Sequence, residues 1–488
     1  MRLFSYLYPV LKPAVLRFGI LCCLALLVTS CQWGRAGEGK RSTVPEVKRD
    51  LSEIRSEGKL RALIVYSATG YFIYKGQPMG YEYELLNRLA DHLGLDLEIR
   101  VARDLDQMLE ILQSGEVDLV AHGLAITEER KQQAAFTDYL YLTKQVLVQR
   151  KPENWRKMTL DEIRETLVSD PVELIGDTVS VRRNSSYHER LENLSREIGG
   201  AIHLDPLDGN LSTDEIIKMV VDKKITRTVA DRNLARINAS SYPILDVSVP
   251  VSFSQRIGWA VRKNAPSLRD AVNAWIKQEK TAPDFNYLYQ KYFENRSSFK
   301  RRVRSEFFSL TDGNISPYDT LIKEAAAELN WDWRLLASQI YQESRFYPRA
   351  TAWTGARGLM QLMPATAEEL EIANPDDPDE NLRGGVRYLQ QLGRAFEEVP
   401  DSLARIKFTL AAYNCGLGHV QDARRLAAQR GLDPDCWDNN VDQMILALSY
   451  PKNYYEDVVE YGYLRGVEPY RYVRQIMERY RQYAEVLE

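Results

Sequence analysis

Residues 338–367 read SQIYQESRFYPRATAWTGARGLMQLMPATA, and the glutamate inside that stretch is in an unusual place. Asp332 stands where a helix cap belongs. On the helix that follows, Leu335, Leu336, Gln339, Ile340 and Glu343 fall along one side. A carboxylate that continues an apolar stripe is costly unless it is protonated, paired or used. Gly355 and Gly358 mark a tight turn with close backbone approach. Just upstream, Ser316-Pro317 reads as a cap followed by proline at a first helical position, and Tyr318 to Leu329 keep helical period. From about residue 315 onward the pattern is wholly helical.

Two further pieces lie C-terminal to this stretch: AAYNCG at Ala411–Gly416 and YGYLRGVEPYRYVRQIMERY at Tyr461–Tyr480. With the glutamate-serine pair and GLMQ, they make four motifs in order between Glu343 and Tyr480. Together they resemble the lysozyme-like SLT transglycosylase family. That resemblance implies a peptidoglycan substrate and Glu343 as catalytic acid and base, with Ser344, Met360, Gln361, Tyr413, Asn414, Tyr463 and Tyr472 contacting sugar or holding the carboxyl. The chemistry asks for such a glutamate. Breaking a β-1,4 glycosidic bond needs a proton on the departing oxygen, and burial keeps a carboxyl protonated near neutral pH. Most glycosidases add a second carboxylate, and none of the four motifs supplies one. In the family, the glutamate then takes the proton from the sugar's own C6 hydroxyl, which attacks C1 and leaves a 1,6-anhydro end. One departure stands out: Ala352 occupies a position where the family often has serine.

N-terminal to all this, strand and helix alternate. Leu60–Tyr66 reads as a buried strand, and Tyr81, Leu85, Leu86, Leu89, Ala90 and Leu93 recur at helical spacing. Leu95, Leu97, Ile99 and Val101 alternate as a strand does. A helix over Leu105–Gln113 and strands at Asp118–Ala121 and Gln145–Gln149 follow. This pattern predicts an α/β part with a mainly parallel sheet. The segments GYEYELLNRLADHLGLDLEI and GEVDLVAHGLAITEERKQQAAFTDYLY are similar to the family 3 solute-binding proteins of the periplasm, over roughly residues 55–297. The resemblance implies two lobes closing on a ligand, with the chain crossing near 150 and 245. It also assigns an effector site. Arg130 takes a carboxylate, a geometry guanidinium suits; Ser185 and Ser186 stand at a helix N-terminus facing that carboxylate; Asp231 receives an amine. His122, Gly123 and Ala125 replace residues that are often small hydroxyls in the family.

The first 31 residues read as an export signal. Arg2, Lys12 and Arg17 precede an apolar stretch, Phe18 to Val28, too short for a permanent span. Val28-Thr29-Ser30-Cys31 resembles a bacterial lipobox, which implies a lipidated Cys31 and, with Gln32 next, the periplasmic face of the outer membrane. Of five cysteines, Cys415 and Cys436 remain for a bridge or for two free thiols. The 64 basic and 68 acidic residues leave a net charge of −4, which excludes a globally basic nucleic-acid footprint. The five histidines form no metal-ligand spacing, so no metal and no cofactor is expected.

The reading is thus a two-lobed α/β binding-protein-like domain followed by a mainly α lysozyme-like domain. Its expected divisions are a signal over 1–30, a tether over 31–52, the binding-protein-like domain over 53–297, a linker over 298–314 and the transglycosylase domain over 315–488. Partners are glycan strands, the membrane through the N-terminal lipid, and an amino-acid or muropeptide effector. Competing readings are a solute- or muropeptide-binding lipoprotein with an inactive wall-binding tail, and a muramidase that hydrolyses the same bond.

Overall fold

The computed structural model describes residues 47–487; the export-signal stretch and Cys31 lie outside the described residues. The apolar run at Leu60 becomes β1 (Lys59–Ile64), in which Ala62, Leu63 and Ile64 are all buried. An antiparallel hairpin follows, β2 (Phe72–Tyr74) and β3 (Gln77–Met79), then α1 (Tyr81–Leu93). β4 (Asp96–Val101) and β5 (Leu119–Ala125) flank β1, both parallel to it. Each of these βαβ passages returns over one face of the sheet, as parallel pairing requires.

Beyond β5 the parallel expectation needs correcting. After α2 (Glu128–Gln133) come β6 (Ala135–Phe136) and β7 (Tyr141–Thr143). The chain then leaves at Lys144 for β8 (Gln145–Arg150), earlier than the expected crossing at 150. In the second lobe, β9 (Thr178–Arg182) leads to α3 (Ser186–Glu197) and pairs in parallel with β10 (His203–Leu207). β8 lies between β11 (Arg227–Asp231) and β12 (Leu245–Asp246), antiparallel to both. α4 (Arg232–Ser241) joins β11 to β12. β13 (Gln255–Val261) then re-enters the first sheet antiparallel to β5, β6 and β7. A strand that returns from the other lobe comes back at the end its predecessor left. It needs no crossover and so runs the opposite way.

The segment expected as a linker, 298–314, carries helical structure and packs into the first core. α5 (Arg296–Val303) packs Phe299 into the first core, and Arg302 is buried over the rings of Phe72 and Tyr292. Contact of the guanidinium with aromatic rings and a hydrogen bond to the Ser298 hydroxyl, not solvation, hold that arginine.

The remainder is helical. α6 starts at Asp319, not after Ser316, because the Asp319 carboxylate takes the amide of Ile315 at 2.8 Å and the hydroxyl of Ser316. Those bonds hold Ser316-Pro317-Tyr318 as a turn ahead of α6 (Asp319–Leu329). α7 (Trp333–Ser344) is capped by Asp332, which accepts from the Arg334 amide at 2.9 Å. α8 (Pro378–Arg394), α9 (Ser402–Cys415) and α10 (Val467–Val486) complete the frame. Ser338 on α7 donates to the Ile476 carbonyl on α10 at 2.7 Å, which locks this pair.

The β2–β3 hairpin reaches into the helical part. Ile73 belongs to the core formed by Ile322, Leu336 and Ile340, and Tyr483 of α10 donates to the Gly76 carbonyl. Gly76 has φ +73°, and a Cβ there would lie 2.4 Å from the Phe346 ring. The turn therefore has no room for a side chain. Cys415 and Cys436 are free thiols. Among the described residues no helix is long and apolar enough to cross a membrane, and no group of ligating side chains could hold a metal ion.

Candidate active site and ligand cleft

Glu343 sits in the last turn of α7. The helix is stopped by Arg345 and Phe346, both left-handed at φ 52° and 61°. Gln361, at φ 51°, is a third non-glycine residue in that region. Such conformations cost about 1–3 kcal/mol each and persist where the surroundings over-determine them. Here they turn the chain abruptly just after Glu343 and again at Gln361.

The Glu343 carboxyl accepts a hydrogen bond from the Tyr472 hydroxyl on α10. Burial pushes its pKa up to about 7, and the Tyr472 bond partly opposes that rise. No other acid is among the groups that shift it. The residue keeps partial exposure. Gln339, one turn earlier on the same face, donates to the Tyr472 oxygen at 3.3 Å while its own carbonyl oxygen is buried without a partner. Tyr413 donates to the Met360 carbonyl at 2.7 Å, and its phenol is raised by burial and then by the charge of Glu343.

The expected residues divide. Glu343, Tyr472 and Tyr413 come together. Gln361 braces the loop beside them, donating to the carbonyls of Ala350 and Gly358 at 2.9 Å each. Met360 needs correcting: its side chain is wholly buried against Gly385, and only its backbone oxygen serves the site. Ser344 is also buried and bonds the Ile340 carbonyl at 3.2 Å, so its hydroxyl is engaged within the helix. Asn414 is exposed. Tyr463 is exposed and packs its ring on Tyr454; it makes no hydrogen bond to Glu343. Two residues that matter were not singled out. Gln339 could have been, from its i, i+4 spacing to Glu343. Asn381 could not: it reaches from α8 to the Met360 amide at 2.8 Å and the carbonyls of Arg357 and Pro375 at 3.0 Å, a link between distant segments.

A second site lies between the lobes. Arg130, Ser186 and Asp231 line one narrow cavity of ≈ 40 Å³ with Glu82, His122 and Arg182. That is room for about three waters. Ser185 is instead the cap of α3: it accepts from the His188 amide at 3.2 Å and donates to the Arg182 carbonyl at 2.6 Å. Among the described residues Arg130 forms no ion pair, and it donates to the Ala125 carbonyl at 3.1 Å. Asp231 precedes α4 yet caps nothing, and one of its carboxyl oxygens is buried without a partner. Burial pushes it up to about 7, against the pull of Arg130. Glu82 also rises to about 7 by burial, and His122 falls to about 3 through burial and the nearby Arg182 and Arg130. His122 stands at a position where the resemblance puts a ligand contact, whereas Glu82 and Arg182 were not read from sequence as site residues, because only the lobe packing turns them inward.

The class defined by this architecture is a two-lobed solute-binding-like part joined to a helical lysozyme-like part. The family model for bacterial extracellular solute-binding proteins, family 3, matches residues 63–295, and that for the transglycosylase SLT domain matches residues 320–434. A membrane-bound lytic murein transglycosylase F from Desulfosudis oleivorans is 35% identical, covering 88% of this chain and 91% of its own. Its namesake in Shewanella loihica is 31% identical over 94% and 90%. Among solved structures, the P235GK mutant of ArgBP from T. maritima is 25% identical with a TM-score of 0.42, covering 50% of this chain and 99% of that one. The chain belongs to the membrane-bound lytic murein transglycosylase F family.

Proposed function

We propose that this protein cuts peptidoglycan glycan strands by lytic transglycosylation, with Glu343 as the single acid and base. The carrying observation is a carboxyl poised at about 7 with a tyrosine hydroxyl on it and no acid partner. The neutral carboxyl gives its proton to the glycosidic oxygen as the C1–O bond breaks. The resulting carboxylate then takes the proton of the same sugar's C6 hydroxyl, whose oxygen bonds to C1. The proton is returned, no water is consumed, and a 1,6-anhydro end forms. Tyr472 steadies the carboxylate in the interval between the two transfers. Gln339 and Tyr413 position the walls, and Gln361 with Asn414 meets the sugar. A second carboxylate, which a hydrolytic muramidase would use for water, is missing from the groups acting on Glu343.

The lobes over 53–297 are proposed as a sensor for an amino-acid or muropeptide effector, held at its carboxylate by Arg130 and at its amine by Asp231. The transglycosylase domain is assigned to 315–488, and the enzyme works at a membrane facing the periplasm, with lipid on Cys31 at the outer membrane. The names of the relatives support membrane attachment. Mass spectrometry of digested peptidoglycan tests the reaction. Anhydro products that vanish with Glu343→Gln are expected; hydrated ends would replace the proposal with a hydrolase.

A further inference from the structure

Beside the ligand cleft, and sharing Phe293 with it, lies a wider cavity of ≈ 560 Å³. Lys144, Arg232, Arg236 and Arg296 line it against one acid, Glu294. None of the four forms an ion pair or a side-chain hydrogen bond with another described residue. Arginines elsewhere do pair, as Arg88 does with Glu279 and Arg190 with Glu197.

The four cations are gathered against local electrostatics. Arg232 and Arg296 are the first residues of α4 and α5, the ends at which a helix dipole disfavours positive charge. Arg236 follows Arg232 by four, and like charges at that spacing destabilise a helix. The Arg232 amide bonds the Lys144 carbonyl at 2.8 Å, which keeps the lysine's backbone beside that helix end. Burial and then the charges of Arg232 and Arg296 push the Arg236 guanidinium down from its ordinary value, so the three arginines feel one another. A concave wall of one sign concentrates potential where a solvated convex face would disperse it. At the rim, Leu142 is 53% exposed, and Phe253, next to the lining residue Ser254, is 88% exposed.

We propose that this cavity binds the phosphate group of a phosphate ester. Planar guanidinium forks match phosphate oxygens in pairs, and a lysine adds a mobile point charge. The cavity is larger than a bare phosphate requires, which leaves the esterified body against Tyr289 and Phe293. Two sources share this chemistry: a soluble ester, and the headgroup of an anionic phospholipid, for which Leu142 and Phe253 supply apolar contact at the rim.

The full chain is titrated calorimetrically with glycerol 1-phosphate and, in parallel, sedimented with vesicles of phosphatidylglycerol in phosphatidylcholine and of phosphatidylcholine alone. Saturable binding of glycerol 1-phosphate is expected, weakened roughly tenfold or more in Arg232→Gln/Arg236→Gln and again in Lys144→Gln/Arg296→Gln. Sedimentation that depends on phosphatidylglycerol and is lost in the same variants assigns the membrane source; soluble binding without it assigns the soluble one. Melting adds a readout independent of both: the variants melt higher than wild type in phosphate-free buffer, and inorganic phosphate raises the melting temperature of wild type alone. Failure of both probes to bind, or binding unchanged in both double variants, overturns the proposal.

Discussion

Glu343 and Asp231 are both carboxyls lifted to about 7 by burial, yet their surroundings differ in kind. Glu343 is held by a neutral hydroxyl and keeps partial exposure. Asp231 is closed in with the guanidiniums of Arg130 and Arg182 and keeps an oxygen unspent. A group that must give and retake a proton is best left without a fixed countercharge, since an adjacent cation would hold it ionised. A group that must grip a ligand's amine is best left charged, partnered weakly and short of one hydrogen bond. The same desolvation thus raises both carboxyls, and the charge of Arg130, which favours the ionised form of Asp231 alone, separates the proposed proton donor from the proposed amine site.

The strongest way to break this comparison is Glu343→Gln. Formation of anhydro product should fall by about 10²–10⁴-fold with the fold retained by circular dichroism. Activity within tenfold of wild type would move the acid elsewhere.

Stability against pH comes next. For Glu343 the folded value, about 7, lies above the ordinary 4.5. The folded state therefore binds the extra proton between them, and stability falls as pH rises through that window. Glu343→Gln should raise stability at pH 8 by up to about 3 kcal/mol and leave it unchanged at pH 4. Asp231→Asn should gain less, under about 1 kcal/mol, because it strips Arg130 of a countercharge. Urea melts at the two pH values read both; equal gains would erase the distinction drawn above.

Gly76→Ala should cost about 2 kcal/mol, since its Cβ would press on the Phe346 ring just beyond Glu343. A thermal melt unchanged by this substitution would mean that the hairpin yields freely. Among the effects on rate, the smaller one expected is that of Tyr472→Phe, about tenfold. Its bond to Glu343 lowers the carboxyl's pKa, so its loss should also shift the alkaline limb of the pH–rate profile upward. A downward shift would contradict the assigned role.

Much of the catalytic helix was legible along the chain. Asp332 as cap and the stripe ending in Glu343 follow from spacing alone, because a helix cap and a helical face involve only residues close in sequence. The same holds for α1 and for the cap at Ser185, although the sequence reading gave that serine to the ligand. Ser316-Pro317 misled for a physical reason. The signal for a helix start was real, but the Asp319 carboxylate captured the local amides and began the helix later. Met360 misled in another way: an apolar residue beside a functional glutamine can face either side of a loop, and Gly385 on α8 leaves the space that takes it inward.

By itself, the sequence determined the order of elements, the helix that carries Glu343, and the residue types able to donate a proton or clamp a carboxylate. These depend on local propensity and period, which neighbours along the chain enforce. Only the tertiary structure decided that β13 returns antiparallel, that Arg302 is buried on aromatic rings, that Glu82 and His122 face the ligand cleft, and that Tyr472 and no acid meets Glu343. Each of those depends on desolvation and contact between segments far apart in the chain. Burial, and with it the pKa of a carboxyl, is a property of what packs around a residue and not of the residues beside it.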